Sequence, residues 1–350
     1  MAYSGLIERY RAHLRLPPNA LPITLHEGDT PLLPAPRLGA ELDCQLFLKF
    51  DGLNPTGSFK DRGMTMAMTV AAAQGARAVI CASTGNTAAS AAAYAARAGL
   101  RCFVLIPQGK VAAGKLAGSV AYGAEVIQIE GSFDDALAMV RQIGDTHPIA
   151  IVNSINPHRL EGQKTAAFEI CDTLGRAPDW LCLPVGNAGN ITAYWKGFRE
   201  YGSLGHIHTL PQLLGVQAAG AAPLVLGHAV DQPETIATAI RIGRPARGEE
   251  ALLAAEESHG KIIAASDDEI LAMQKRLASE GVWCEPASAA GAAGLHKEVS
   301  EGRMNVSGQT VVCVVTGHGL KDPDSITSRF PSPKVIPAEV EALEKLVRED

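Results

Sequence analysis

Four short polar segments, rich in glycine, hydroxyl and amide side chains, have the composition of ligand-binding loops. The first is Asp51-Gly52-Leu53-Asn54-Pro55-Thr56-Gly57-Ser58-Phe59-Lys60-Asp61-Arg62-Gly63, a turn-rich loop that enters a helical pattern at Lys60. A lysine at a helix start faces the positive end of the dipole, which loosens its proton and suits a nucleophile or base. Taken alone, Lys60 reads more often as a solvated surface lysine. The spacing is not that of a nucleotide P-loop, because position 58 is serine and Lys60 comes two places late. The second segment, Ser83-Thr84-Gly85-Asn86-Thr87-Ala88-Ala89-Ser90, lies between an apolar run and a helix of small residues, and forms either a carboxylate cradle or an ordinary cap. The third, Pro184-Val185-Gly186-Asn187-Ala188-Gly189-Asn190-Ile191-Thr192, lacks the glycine spacing and acidic ribose reader of a dinucleotide site; its backbone N–H groups suit a small phosphate. The fourth, Val315-Thr316-Gly317-His318-Gly319, closes an apolar strand, with His318 read as a structural loop residue.

Such loops need strand ends to hold them. Apolar or β-branched runs recur at 45–50, 78–82, 102–106, 125–129, 149–153, 181–185, 214–218 and 310–315, most of them separated by helical patterns. That alternation predicts an α/β fold of open, mostly parallel sheets covered by helices on both faces. Ser132-Phe133-Asp134-Asp135 and Ser266-Asp267-Asp268-Glu269 have the form of helix starts, and both chain ends read as helices. No repeat, low-complexity tract or mid-chain linker appears, so two sheets sharing a cleft is the expected arrangement. The uncharged stretch from Ala78 to Ala96 contains too many polar residues for a membrane helix and reads as strand, loop and alanine-rich helix.

Composition narrows the function classes. Hydrophobic residues make up 47% of 350 and charged residues 19%, which excludes disorder, and a net charge of −6 offers no broad basic surface for nucleic acid. The seven cysteines are scattered through apolar runs and read as reduced core residues, with no metal site expected. The opening residues carry no basic-then-apolar signal, so a cytoplasmic location is expected.

Together the segments resemble the pyridoxal-phosphate enzymes of the tryptophan-synthase-β structural group, and within it the compact bacterial threonine synthases. The resemblance rests on 54–63, 83–90, Asn156-Pro157-His158-Arg159-Leu160-Glu161-Gly162-Gln163-Lys164-Thr165, 186–190, Glu285-Pro286-Ala287-Ser288-Ala289-Ala290 and 316–323, in family order. It implies a fold of two α/β lobes with pyridoxal 5'-phosphate between them: a small mobile lobe, 55–152, and a large cofactor-binding lobe, 1–54 plus 153–350. It further implies that Lys60 forms the Schiff base with the cofactor and then carries protons. Asn86 would bond the ring hydroxyl oxygen, Gly186, Asn187, Ala188, Gly189 and Asn190 would cradle the phosphate, and Thr316 would meet the pyridine nitrogen.

The reaction implied converts O-phospho-L-homoserine and water to L-threonine and phosphate by γ-elimination and β-hydration. Ser83, Thr84, Gly85 and Thr87 match the substrate-carboxylate loop; Asn153, Ser154, Arg159 and Asn187 match the group that holds the substrate phosphate. Without that context Arg159 would be read as a surface ion pair with Glu161. The rivals are a threonine or serine dehydratase of the same fold and a non-catalytic small-ligand binding protein. The family implies a homodimer, and the lack of a long N-terminal extension argues against the plant-type regulated form.

Overall fold

The computed structural model describes residues 2–109, 113–131, 133–327 and 333–348. In chain order its strands are β1 (Leu32–Pro34), β2 (Gln45–Phe50), β3 (Ala78–Ala82), β4 (Arg101–Pro107), β5 (Glu125–Ile129), β6 (Ile149–Ile151), β7 (Trp180–Pro184), β8 (Gln212–Ala218), β9 (Lys261–Ala265) and β10 (Thr310–Val315). They form a six-stranded sheet, β1-β2-β10-β7-β8-β9, and a four-stranded sheet, β5-β4-β3-β6. All pairings are parallel except β1 with β2. β7 and β10 are buried along their whole length, which is why they read as continuous apolar runs and not as alternating ones.

Register decides where the loops emerge. β10 lies between β2 and β7, pairing Val315 with Phe50 and Cys313 with Cys182. The chain therefore leaves β2, β10 and β7 side by side, toward one crevice at the strands' carboxyl ends. Eight strands match the sequence pattern, β2, β3, β5 and β10 end for end and β4, β6, β7 and β8 with shifted ends. β1 and β9 were not expected: β1 has only three residues, and β9 is a part-exposed edge, Lys-Ile-Ile-Ala-Ala, without alternation.

Helices cover both sheets, with separate apolar clusters against each. The helix Lys60–Ala73 is buried over almost every turn, as its small and methionine side chains allow. It crosses the helix Pro157–Gln163 in backbone contact, since a Cβ at Gly162 would lie 1.8 Å from the Arg62 carbonyl. That crossing ties Lys60 to Arg159. Ser266 caps its helix with Glu269 in a capping box; Ser132 lies outside the described residues, and the following helix begins at Phe133. The stretch from Ala78 divides into β3 and the helix Asn86–Ala98, and no helix among the described residues is long and apolar enough to cross a membrane. All seven cysteines are free thiols.

Candidate active site

The four loops meet in one cleft, joined by the segment that follows β6. Every site residue expected from the sequence lines it: Lys60, the 83–87 loop, Asn153, Ser154, Arg159, the 186–190 loop and Thr316. Each enters from beyond the carboxyl end of a parallel strand: β2, β3, β6, β7 or β10. Among the described residues no cluster could hold a metal ion.

Lys60 is not a solvated surface lysine. Its part-exposed side chain opens into the cleft, with Nζ 3.8 Å from the centre of the Phe59 ring and no ion-pair partner among the described residues. Burial and the Arg159 charge push its pKa down to about 7, against the pull of Glu285. Lys60 is thus an amine poised near neutrality. Across the cleft Asn86 Nδ2 donates to both carboxylate oxygens of Glu285, at 3.0 and 3.2 Å. Ser83 does serve as a local cap, its Oγ accepting from the N–H groups of Gly85 and Ala88.

The 186–190 loop turns sharply into the helix Gly189–Ser203. Ala188, at φ 65° and ψ −6°, takes a left-handed conformation uncommon for alanine and buried here. A Cβ at Gly186 would stand 3.0 Å from Ile240 Cα. The Asn190 side-chain nitrogen is buried with no partner. Thr316 is buried at the end of β10, its hydroxyl 2.8 Å from Ser288 Oγ, which also accepts from the Gly317 N–H at 2.8 Å.

Arg159 is 1% exposed and does not pair with Glu161, which binds Lys164 and Lys196. One of its nitrogens donates to the Val152 carbonyl at 3.2 Å, and Nε has no partner. Burial lowers its pKa to about 10 against a pull from Cys81, with a lesser downward push from the Arg247 charge. Arg247 in turn donates to the carbonyls of Ser154 and Ile155. Asn153 spends its carbonyl and one N–H on the Ala82 backbone, and the Asn187 carbonyl accepts from the Ala246 N–H, so each keeps amide hydrogens for a ligand. The cleft thus carries two places for an anion: a backbone turn at a helix start and a buried guanidinium with a free donor.

The profile of the pyridoxal-phosphate dependent enzyme family matches residues 23–317. The chain belongs to that family. It is 59% identical to threonine synthase of Mycobacterium tuberculosis over 98% of this chain and 96% of the relative. It is 55% identical to threonine synthase of Halalkalibacterium halodurans, over 97% and 96%. Among solved structures it is similar to maize serine racemase, with a TM-score of 0.73 at 19% identity over 91% of this chain and 92% of that one. It is also similar to threonine deaminase isoform 2 of Solanum lycopersicum, with a TM-score of 0.72 at 21% identity over 84% and 80%. These two show the fold.

Pyridoxal phosphate is therefore the enzyme's cofactor, and the cleft fits it. A lysine amine without an ion-pair partner, a turn at a helix start with a buried unpartnered amide, and a buried hydroxyl at the end of β10 match an aldehyde, a phosphate and a ring nitrogen. Three residues near the site carry no role in the sequence reading. Glu285 lines the cleft, Ser288 stands behind Thr316, and Arg247 stands behind Ser154. Glu285 and Ser288 lie in a segment whose Glu-Pro start signals a helix N-terminus, whereas nothing around Arg247 distinguishes it. His318 is a loop residue: its Nδ1 accepts from the Leu320 N–H and its ring stacks on Phe50.

Proposed function

We infer that the enzyme is a threonine synthase, converting O-phospho-L-homoserine and water to L-threonine and inorganic phosphate. The observation that carries this reading is the second anion position. The cofactor phosphate needs one, and Arg159, buried with a free Nε, is surplus unless the substrate brings a phosphate of its own. A dehydratase or racemase acting on an unphosphorylated amino acid has no use for it. Identity of 59% to a threonine synthase over nearly the full length supports the same reading.

Bound pyridoxal phosphate would supply an electron sink that makes the proton on the substrate's α carbon, and then one on its β carbon, removable. The chain supplies the rest. Ser83, Thr84, Gly85 and Thr87 hold the substrate carboxylate at the start of the helix Asn86–Ala98, where N–H groups point outward. Asn86 meets the cofactor's ring oxygen, Thr316 its ring nitrogen, and the 186–190 turn its phosphate. Lys60 Nζ takes the proton from the substrate Cα and then one from Cβ; an amine with a pKa near 7 can accept and return both at neutral pH. Arg159, with Ser154 and the free N–H groups of Asn153 and Asn187, stabilises the charge that grows on the phosphate as its bond to Cγ breaks. Cγ, freed of phosphate, takes up a proton and becomes the methyl group; water then adds at Cβ with loss of its second proton, and Lys60 returns a proton to Cα.

We propose further that residues 55–152 close over the substrate as a small lobe against 1–54 and 153–350, that the enzyme works as a homodimer, and that it does so in the cytoplasm. The test of the function uses cofactor-loaded enzyme with O-phospho-L-homoserine, quantifying threonine and phosphate together, with L-threonine and L-serine in parallel. Equal amounts of threonine and phosphate are expected. Keto acid from serine or threonine, with no threonine formed, would move the enzyme to the dehydratases.

A further inference from the structure

Glu285 is the one carboxylate among the described residues that line the cleft, and the reaction as derived leaves it without a task. It occupies the N-cap position of the helix Pro286–Ser300, where a polar side chain commonly folds back onto the first N–H groups. Here it makes no such bond. Its side chain turns into the cleft instead, and both oxygens accept from Asn86 Nδ2. The space it occupies is cut to fit: a Cβ at Gly317 would stand 2.4 Å from Glu285 Oε1 and 2.7 Å from its Cδ, so any side chain at 317 would evict the carboxylate. The residue is 5% exposed, and its backbone is fixed by the bond from its N–H to the Gly317 carbonyl.

A buried carboxylate with one neutral donor is costly unless a positive charge faces it. The charged groups around Glu285 come from two elements. Lys60 faces it from the helix Lys60–Ala73. Lys321 and Asp322, from the turn after β10, act in opposite senses. Lys321 is itself engaged by the Thr56 carbonyl, and Asp322 accepts from the Thr238 hydroxyl. Lys60, set over the Phe59 ring, has no ion-pair partner among the described residues. Arg159 lines the same cleft, and its charge drives a proton off the amine. Lys60 thus shares the cleft with a cation and an anion of opposite influence on its proton.

We propose that Glu285 is a positioning residue that serves as the counter-charge of Lys60: anchored by Asn86 and the Gly317 notch, its carboxylate offsets Arg159 and sets how readily the Lys60 amine holds and releases its proton. Burial lifts the carboxyl's own pKa above its ordinary value, against the pull of Asn86, Lys60 and Lys321. The proposal rests on the reading of Lys60 as the residue that joins the cofactor, so its test must separate the two.

The measurement is the rate at which full-length apoprotein, freed of cofactor, regains the visible absorption band on mixing with pyridoxal phosphate, followed from pH 5 to 10. Only the unprotonated amine attacks the aldehyde, so the midpoint of this rate profile reports Lys60. In Glu285→Gln, which keeps shape and an acceptor but not charge, the midpoint is expected about 1 pH unit lower than in wild type. In Glu285→Asp, which keeps the charge, it is expected within a few tenths of wild type. A Gln profile that coincides with wild type overturns the proposal, as does an Asp variant displaced downward by that same unit. Should Glu285→Gln not fold, the Asp variant decides alone by the same criterion. Lys60→Ala is the separate control: if it regains the wild-type band, the reading of Lys60 itself fails, whatever Glu285 does.

Discussion

Two clusters of cations meet the helix Lys60–Ala73 within a few residues of each other, and they are built on opposite principles. In the first, Arg62 bonds Asp51 at 2.8 Å and Glu169 at 2.7 Å, Lys49 bonds Glu169 at 2.7 Å, and Thr30 and Thr165 take further guanidinium hydrogens. Its two positive and two negative side chains are at most 3% exposed and cancel. In the second, Lys60 and Arg159 face the cleft with no carboxylate bonded to either among the described residues, and Arg159 Nε has no partner at all. Lys60 and Arg62 are two positions apart on one helix, so side chains leaving it in different directions meet opposite fates. The paired cluster closes the fold around the N-terminal segment. The unpaired one turns its positive charge toward the cleft.

That contrast is broken most strongly at Lys60. Replacing it with alanine is expected to lower threonine formation by about 10³-fold or more, because both the attachment point and the proton carrier are lost. Product analysis at saturating substrate measures it. At Arg159 the expected loss is smaller and more selective. Arg159→Ala should cut kcat/KM for O-phospho-L-homoserine by about 10²- to 10³-fold, the usual cost of one donor aimed at developing charge, while the visible band of bound cofactor stays unchanged. Loss of the band would mean that Arg159 serves the cofactor phosphate and not the substrate.

The two clusters should also answer to opposite ends of the pH scale. Burial raises the pKa of Glu169, but Arg62 and Lys49 outweigh it and hold the carboxyl well below its usual range. Its contribution to stability is therefore complete above the unfolded value near 4.5 and drains away as pH falls below it. Lys60 in the apoprotein is depressed to about 7 from 10.5, so between those values the unfolded chain binds a proton that the folded chain does not. Stability from this group rises with pH across that window. Denaturant unfolding of wild-type and Lys60→Ala apoproteins from pH 7 to 9 should show the variant's relative advantage shrinking as pH rises.

Much of the site was legible because chemistry leaves local traces. The loop residues at 83–87 and 186–190 stand directly after apolar runs, so strand ends and ligand donors were read together, and all of them line the cleft. What stayed hidden depends on contacts far apart in sequence. Arg159 reads as a partner for Glu161 until the Pro157–Gln163 helix is packed onto the Lys60 helix, which buries the guanidinium and leaves Glu161 to Lys164 and Lys196. Glu285 meets Asn86 across 199 residues, and no spacing rule reaches that far. Lys49, Asp51 and Glu169 gave no signal either, since a strand lysine and a helix glutamate look like surface charges before the sheets close. In the fold, β1 and β9 escaped for a simpler reason: short, part-exposed edge strands lack a periodic pattern.

The claim that one cluster holds the fold and the other waits for ligand is tested most directly by unfolding two apoproteins in denaturant at pH 8, Arg62→Met and Arg159→Met, beside wild type. Removing Arg62 strands Asp51 and Glu169 in the interior and is expected to cost about 3–5 kcal/mol. Removing Arg159 takes away a buried charge to which no carboxylate is bonded among the described residues, so that variant should be at least as stable as wild type. Comparable losses in both would contradict the distinction and place Arg159 in the architecture of the fold.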